Sequence, residues 1–439
     1  MESLQDWLER EYRYAAPAML QSVSAVDIVK ERPGFGQTMR PAKGSILASP
    51  VPGAYDPDPD YFFHWFRDSA VVIDAIRLLF DDGVIGREAI THLTDFVHFS
   101  ESLGALDGRK LVSERGWRGR VIPDFEQYVR EDKELGNTHG KLVVADTRVN
   151  PDGTLDISRW ARPQHDGPPL RALALLGWLR GGKLPAPVVS QVTALLDEDL
   201  VFTQMYWREP SYDIWEEEHG QHYYTLRVSA QALSDGAEWA QSIGAPESAR
   251  VWKDESAAIR QVLDGMWMEE AGHYRSRVLT SGARSTKELD IALVLSAIHA
   301  PSTDPVHSVR DPRMHATLGR LEALFEVAYP INRNRPSGRG PAMGRYAGDV
   351  YYSGGAYYFS TFGAAEFCFR AAQAIPSDSH SWLARGDAYL ETIRAYTPAT
   401  GDLSEQFDQK TGAQTSAKHL AWSYAAFIST YHARRAVVG

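Results

Sequence analysis

Tyr61-Phe62-Phe63-His64-Trp65-Phe66-Arg67-Asp68-Ser69 runs straight into an apolar stretch that stops at Asp81-Asp82-Gly83. Five of the first six residues are aromatic, an odd composition for a solvated loop. Beyond them Val72, Ile76, Leu79 and Phe80 keep helical spacing. Asp68 and Ser69 are candidate caps, and Asp81-Asp82-Gly83 is a stop signal. The unit is an aromatic loop that delivers a charged pair onto the start of a helix. Two readings of the loop stand side by side. It is a buried plug with a structural Arg67–Asp68 salt bridge, or it is a sugar pocket. In a pocket, aromatic faces cover the apolar side of a pyranose while the charged pair bonds its hydroxyls.

The same alternation repeats along the chain. Helical patterns recur near 3–14, 86–103, 167–181, 186–200, 222–242, 246–265, 286–298, 312–328, 356–374, 379–395 and 416–435. Between them lie loops rich in Gly, Pro, Asp and aromatics: 31–66, 104–166, 202–220, 330–355 and 397–415. Strand signals are short, the clearest at 272–279. Loops of this length in a compact chain usually carry function. No Gly/Ser linker or composition break divides the sequence, so residues 1–439 read as one all-α domain. About a dozen helices alternating with loops fit a toroid of helical hairpins, with inner helices sheathed by outer ones.

Composition narrows the function. The apolar fraction of 44% and charged fraction of 23% are those of a globular protein. A formal net charge of −11 with scattered Arg and Lys argues against nucleic acid as a partner. Cys368 is the only cysteine, which rules out an internal disulfide and agrees with a reducing compartment. The acidic, amphipathic start at Met1–Glu11 lacks the features of a secretion signal. No apolar run approaches the ~18–20 residues of a membrane span. A cytoplasmic protein with no membrane partner is expected.

Four more clusters join the first. Asn150-Pro151-Asp152-Gly153 is a turn, followed by Trp160-Ala161-Arg162-Pro163-Gln164-His165-Asp166-Gly167-Pro168, where Asp166 is a candidate helix cap. Tyr212-Asp213-Ile214-Trp215-Glu216-Glu217-Glu218 sets three acids against aromatics, and an apolar neighbour raises a carboxyl pKa. Gly344-Arg345-Tyr346 to Tyr358 combines tight-turn glycines with tyrosines. There Arg345 and Asp349 are either a structural pair or a donor site for sugar hydroxyls. Leu403-Ser404-Glu405-Gln406-Phe407-Asp408 precedes Trp422-Ser423-Tyr424. Two carboxyls in aromatic surroundings suit acid–base cleavage of a glycosidic bond, in which one gives a proton to the leaving oxygen and the other takes one from water.

Other motifs fail. Asp56-Pro57-Asp58-Pro59-Asp60 imitates a calcium loop, but Tyr61 and Arg67 occupy the positions that need Gly and Glu. The Gly338–Gly344 run has the wrong spacing for a dinucleotide loop. The 14 His show no metal-ligand spacing. No metal and no cofactor are expected.

Taken in order, the five clusters resemble the conserved regions of the inverting glucoamylase family, glycoside hydrolase family 15. They read Trp65-Phe66-Arg67-Asp68-Ser69, Trp160 to Pro168, Asp213-Ile214-Trp215-Glu216-Glu217, Gly344 to Tyr352, and Ser404 to Asp408 with Ala421-Trp422-Ser423-Tyr424. The resemblance implies an (α/α)6 barrel with the pocket at one end. It implies Glu216 as general acid and Glu405 as general base. Arg67, Asp68 and Arg345 would grip the terminal glucose, Glu217 would assist, and Trp160 would cover the sugar near the acid. Tyr61, Trp65, Trp215, Asp349, Tyr352, Tyr357 and Trp422 complete the expected substrate site. The implied reaction is release of β-glucose from the non-reducing ends of α-glucans.

Two stretches depart from the family pattern. Members acting on starch commonly carry Pro-Glu where this chain has Ala347-Gly348, and Pro-Trp in the stretch of Ala356-Tyr357. With no starch-binding module or N-terminal β-sandwich expected, the substrates read as short isomalto- or malto-oligosaccharides. The alternatives are a trehalase-type hydrolase on the same scaffold and a non-catalytic sugar-binding homologue. The latter usually loses one carboxylate. A phosphorolytic enzyme would lack a general base.

Overall fold

A computed structural model describes residues 2–53, 58–333 and 335–439. Twelve helices of eight residues or more carry the fold among the described residues: α1 (Leu4–Leu20), α2 (Phe66–Asp81), α3 (Glu88–Leu103), α4 (Gly167–Arg180), α5 (Ala186–Tyr206), α6 (Tyr223–Ser242), α7 (Pro246–Asp264), α8 (Ala292–His299), α9 (Pro312–Ala328), α10 (Tyr358–Ala374), α11 (Ser379–Tyr396) and α12 (Ala421–Val438). The even-numbered helices form a closed ring, each packing on the next and α12 packing back on α2. Odd-numbered helices sheathe it, with α5 against α4, α7 against α6, α11 against α10 and α1 against α12. This is an (α/α)6 barrel.

Sequence pattern assigns the two layers. The inner helix α10 buries every residue except Arg370, Gln373 and Ala374, as a helix enclosed on all sides must. The outer helix α7 buries only Ala249, Trp252, Ser256, Ile259 and Leu263, a single apolar stripe at helical spacing. One hydrophobic cluster runs from Trp7 to Ala433 and takes in residues of all twelve helices. A smaller one, with Phe35, Trp117, Val129 and Leu135, sits under the long 104–166 loop. Full burial of a side chain such as Phe362 or Phe367 contributes about 1.5–3 kcal/mol.

Several boundaries differ from the sequence expectation. Helix α2 starts at Phe66 with Trp65 as its N-cap residue, and no side chain caps it. Asp68 and Ser69 lie inside the first turn, where the Ser69 hydroxyl donates to the Phe66 carbonyl (3.0 Å). Its end matches, with Asp82 as C-cap and Gly83 at φ 71°. The segment expected from 286 becomes helical only at Ala292, and that expected from 416 only at Ala421. The 272–279 strand signal is two short strands, His273–Tyr274 and Arg277–Leu279. In the rejected calcium-like run, Asp56 and Pro57 lie outside the described residues. Asp60 is buried and paired with Lys30 (2.6 Å) and Arg32 (2.8 Å).

None of the six inner helices has a side-chain N-cap hydrogen bond. Loop carbonyls satisfy the first amides of four of them, and the Asp290 side chain accepts from the first amide of α8 (2.8 Å). Phe66 donates to Thr147, Tyr223 to Ser276, Tyr358 to Glu405 and Ala421 to Ala48, at 3.3, 2.8, 3.1 and 2.8 Å. The amide of Ile291, just ahead of α8, donates to Arg345 (2.8 Å). Four of the five long loops are thereby tied to the start of a helix distant in sequence. Gly167 marks a close approach between α2 and α4, because a Cβ there would stand 2.6 Å from the Phe66 Cβ.

Gly167→Ala is therefore expected to destabilise the fold by about 1–3 kcal/mol through forced separation of α2 and α4. A lowered urea midpoint at unchanged m would show it. A wild-type midpoint would mean that the two helix starts are not closely packed.

Candidate active site

A small cavity of about 50 Å³ opens where the inner helices begin. Its wall includes Tyr61, Trp65, Arg67, Asp68, Trp215, Glu216, Arg345, Phe359, Glu405 and Trp422. Nine of the fourteen residues singled out in the sequence thus face one hollow, drawn from five separate stretches.

Glu216 sits in a turn at φ 64°, a left-handed conformation that costs a non-glycine residue about 1 kcal/mol or more. Asp213 holds the turn: its Oδ1 accepts from the amides of Glu217 (2.8 Å) and Glu218 (2.9 Å), and its carbonyl accepts from the Gln164 side chain (2.7 Å). Burial pushes the Asp213 carboxyl up, but the Arg277 guanidinium at 3.1 Å outweighs it and the net shift is downward. The Trp215 indole lines the same hollow as Glu216 and donates to Asp290 (2.8 Å). Glu216 is met by N–H donors: Trp65 Nε1 (2.8 Å) and Arg67 Nη2 (3.1 Å) on Oε1, and Trp160 Nε1 on Oε2.

Glu405 has a different setting. It is 7% exposed and immediately precedes a short strand (Gln406–Phe407). Its oxygens accept from two hydroxyls, Tyr61 (3.1 Å) and Ser416. Burial raises its pKa to about 7; the Ser416 bond, the Arg345 charge and the Tyr61 bond pull it down without cancelling that rise.

Arg67 and Asp68 start α2 side by side. Burial opposes the Arg67 charge, but Asp166, Asp68 and Glu216 outweigh it and hold the guanidinium protonated. Asp68 is raised to about 6 by burial, against the pull of Arg67. Its Oδ2 and the Arg67 Nε are buried without hydrogen-bond partners among the described residues. Asp166 stands at the N-cap position of α4 but caps nothing; its carboxylate accepts from Arg67 (3.3 Å). Arg345 is gripped by Asp349 through two bonds (2.6 and 2.7 Å), so the pair is structural while the guanidinium still reaches the wall.

Of the other expected residues, Trp160, Glu217, Asp349, Tyr352 and Tyr357 are absent from the wall. Glu217 accepts from Arg345 (3.2 Å), Tyr346 (2.6 Å) and Lys287 (2.5 Å), and so steadies Arg345. Tyr357 is buried, its hydroxyl donating to Asp349 (3.2 Å) and accepting from Gln406 (2.8 Å). Tyr352 is 38% exposed at φ 52°, its ring edge-on to Tyr351. It is the adjacent Tyr351 whose hydroxyl meets Tyr61 (2.9 Å). Trp422 stacks on Phe359, with ring centroids 4.4 Å apart and 8° between planes, and these two rings form the floor. Sequence reasoning missed Phe359, Tyr351 and Ser416. The Thr411-Gly412 turn between Gln406 and Thr415, which pair as antiparallel neighbours, was the available signal for Ser416.

Comparison with known proteins places this arrangement. The model of glycosyl hydrolases family 15 matches residues 146–384 and 379–432. A probable glucoamylase of Schizosaccharomyces pombe is 27% identical, covering 100% of this chain and 93% of its own. The Neurospora crassa glucoamylase is 28% identical over 90% of this chain, which spans only 64% of that protein's length. The solved glucoamylase of Hormoconis resinae superposes with a TM-score of 0.78 at 25% identity, covering 99% of this chain and 74% of that one. With the family model matched across more than half of its length, and with the barrel and pocket described above, the chain belongs to glycosyl hydrolases family 15.

Proposed function

We propose that the chain is an exo-acting, inverting α-glucoside hydrolase that releases β-glucose from the non-reducing ends of short isomalto- and malto-oligosaccharides. The observation that carries this reading is a buried Glu405 and a partly buried Glu216 lining one pocket, Glu216 held by N–H donors and Glu405 by hydroxyls. Glu216 protonates the glycosidic oxygen as the C1–O bond breaks. Its new carboxylate is received by Trp65, Trp160 and Arg67. Glu405 draws a proton from a water that attacks C1 from the opposite face. Arg67, Asp68 and Arg345 bond the sugar hydroxyls, and Asp68 Oδ2 and Arg67 Nε, which lack hydrogen-bond partners among the described residues, are suited to that task. A single-domain organisation belongs to the same proposal, supported by the one large core. So does a cytoplasmic setting, supported by the lone, buried Cys368. No helix of the described residues is long and apolar enough to cross a membrane.

Proton NMR in the first seconds of isomaltose or maltose hydrolysis is expected to show β-glucose. Initial α-glucose overturns the mechanism. Glucose release should be measurable on both disaccharides and negligible on trehalose; the reverse order would favour the trehalase-type reading.

Glu405→Gln is expected to lose about 10²–10⁴-fold in kcat while still binding substrate. A near-wild-type rate would mean that the base is elsewhere.

The pH dependence has a definite sign. With its carboxyl raised to about 7, a base at Glu405 is ionised above that pH and protonated below it, so kcat/KM falls as pH drops through about 7. Ser416→Ala removes a bond that favours the carboxylate and should move this acidic limb upward by about 0.5–1 pH. Were Glu405 the acid, activity would instead fall as pH rises through the same region.

A further inference from the structure

The two indoles that hold Glu216 are themselves held by a buried cation. Arg148 is 2% exposed and lies directly across from Trp65 in a short antiparallel pairing. Its guanidinium carbon stands 3.8 Å from the Trp160 ring centroid, 4.7 Å from that of Trp65 and 4.0 Å from that of Phe63. Its Nε donates to Asp156 (2.9 Å) and its Nη2 to the Ser158 hydroxyl (3.1 Å). Arg148 is absent from the cavity wall, so its contact with the reaction is indirect.

The chemistry of that contact is specific. A cation against an indole face draws the ring's π density towards itself. The N–H at the ring edge becomes more positive and a stronger donor. Both indole N–H groups end on Glu216, one on each carboxylate oxygen. Bonds to an ionised acceptor are about twice as strong as bonds to a neutral one. The gain therefore appears as Glu216 gives up its proton.

We propose that Arg148 is a positioning residue for Glu216, acting through Trp65 and Trp160 to stabilise the carboxylate formed when the glycosidic oxygen is protonated. This rests on Glu216 being the general acid. In that step the C1–O bond breaks with its electron pair going to oxygen, and the oxygen takes the Glu216 proton. A leaving group that needs no proton makes no such demand.

The test compares Arg148→Met, which removes the charge, with Arg148→Lys, which keeps it without the planar face. Each is assayed on maltose and on α-glucosyl fluoride, where fluoride departs with its own electron pair. Arg148→Met is expected to lose about 10–100-fold in kcat on maltose with KM within about twofold, and less than about threefold on the fluoride. Arg148→Lys should fall between it and the wild type. Equal losses on both substrates, a change in KM alone, or a lowered Tm with kcat retained would overturn the proposal and leave Arg148 a structural ion pair. Glu216→Gln run alongside separates the two claims. It should show the same selective loss on maltose, only larger. A loss as great on the fluoride would refute the acid assignment rather than the role of Arg148.

Discussion

The site depends on how six helices are allowed to begin. A helix start leaves amides without intrahelical partners, and burying them unpaired is costly. In the inner ring the cost is met by carbonyls of Thr147, Ser276, Glu405 and Ala48, with Arg345 serving the amide just ahead of α8. The bonds run from helix to loop across large sequence separations. They complete the barrel and, in the same stroke, fix the loops above it. Glu405 is the extreme case, since its backbone oxygen terminates α10 while its side chain enters the pocket.

That arrangement brings the starts of α2, α10 and α12, each the positive end of a macrodipole, to a single hollow. A glycosidic transition state gathers positive charge on the sugar, so this field opposes it. The acids crowded there redress the balance. Asp68, Asp166 and Asp290 all sit at inner-helix starts, and Glu216 and Glu405 reach in from loops. Their charges are kept apart by Arg67, Arg345 and Arg277, each bridging two or more of the site's carboxylates. Net charge at the site is thus a compromise between a helical frame that favours anions and a reaction that needs them.

Much of this was legible in the chain. Inner and outer helices differ in pattern, and the aromatic-acidic clusters are dense enough to be read as one pocket. What escaped had tertiary causes. Asp166 has the sequence position of a helix cap, but a buried Arg67 beside it is a stronger partner than a backbone amide. The stretch before Ala292 reads as helix, yet Asp290 is bound there by Arg277 and Trp215. Positive φ at Gly348 and Tyr352 turns the loop so that Tyr351, not its neighbour, meets Tyr61. Ser416 reaches Glu405 only because a hairpin closes between them.

The two glutamates differ in what their neighbours can do. Indole and guanidinium nitrogens only donate, so around Glu216 they bind the carboxylate and offer nothing to an added proton. The hydroxyls of Tyr61 and Ser416 donate or accept by rotation, and Glu405 is satisfied in either state. An acid is best served where its spent form is the one bound, because that binding is realised as the proton leaves. A base must gain a proton without losing its support. On the proposed roles, the donor types differ as acid and base require, with N–H groups around 216 and O–H groups around 405. Arg148, pressed against the indoles, extends the first environment by one layer into the fold.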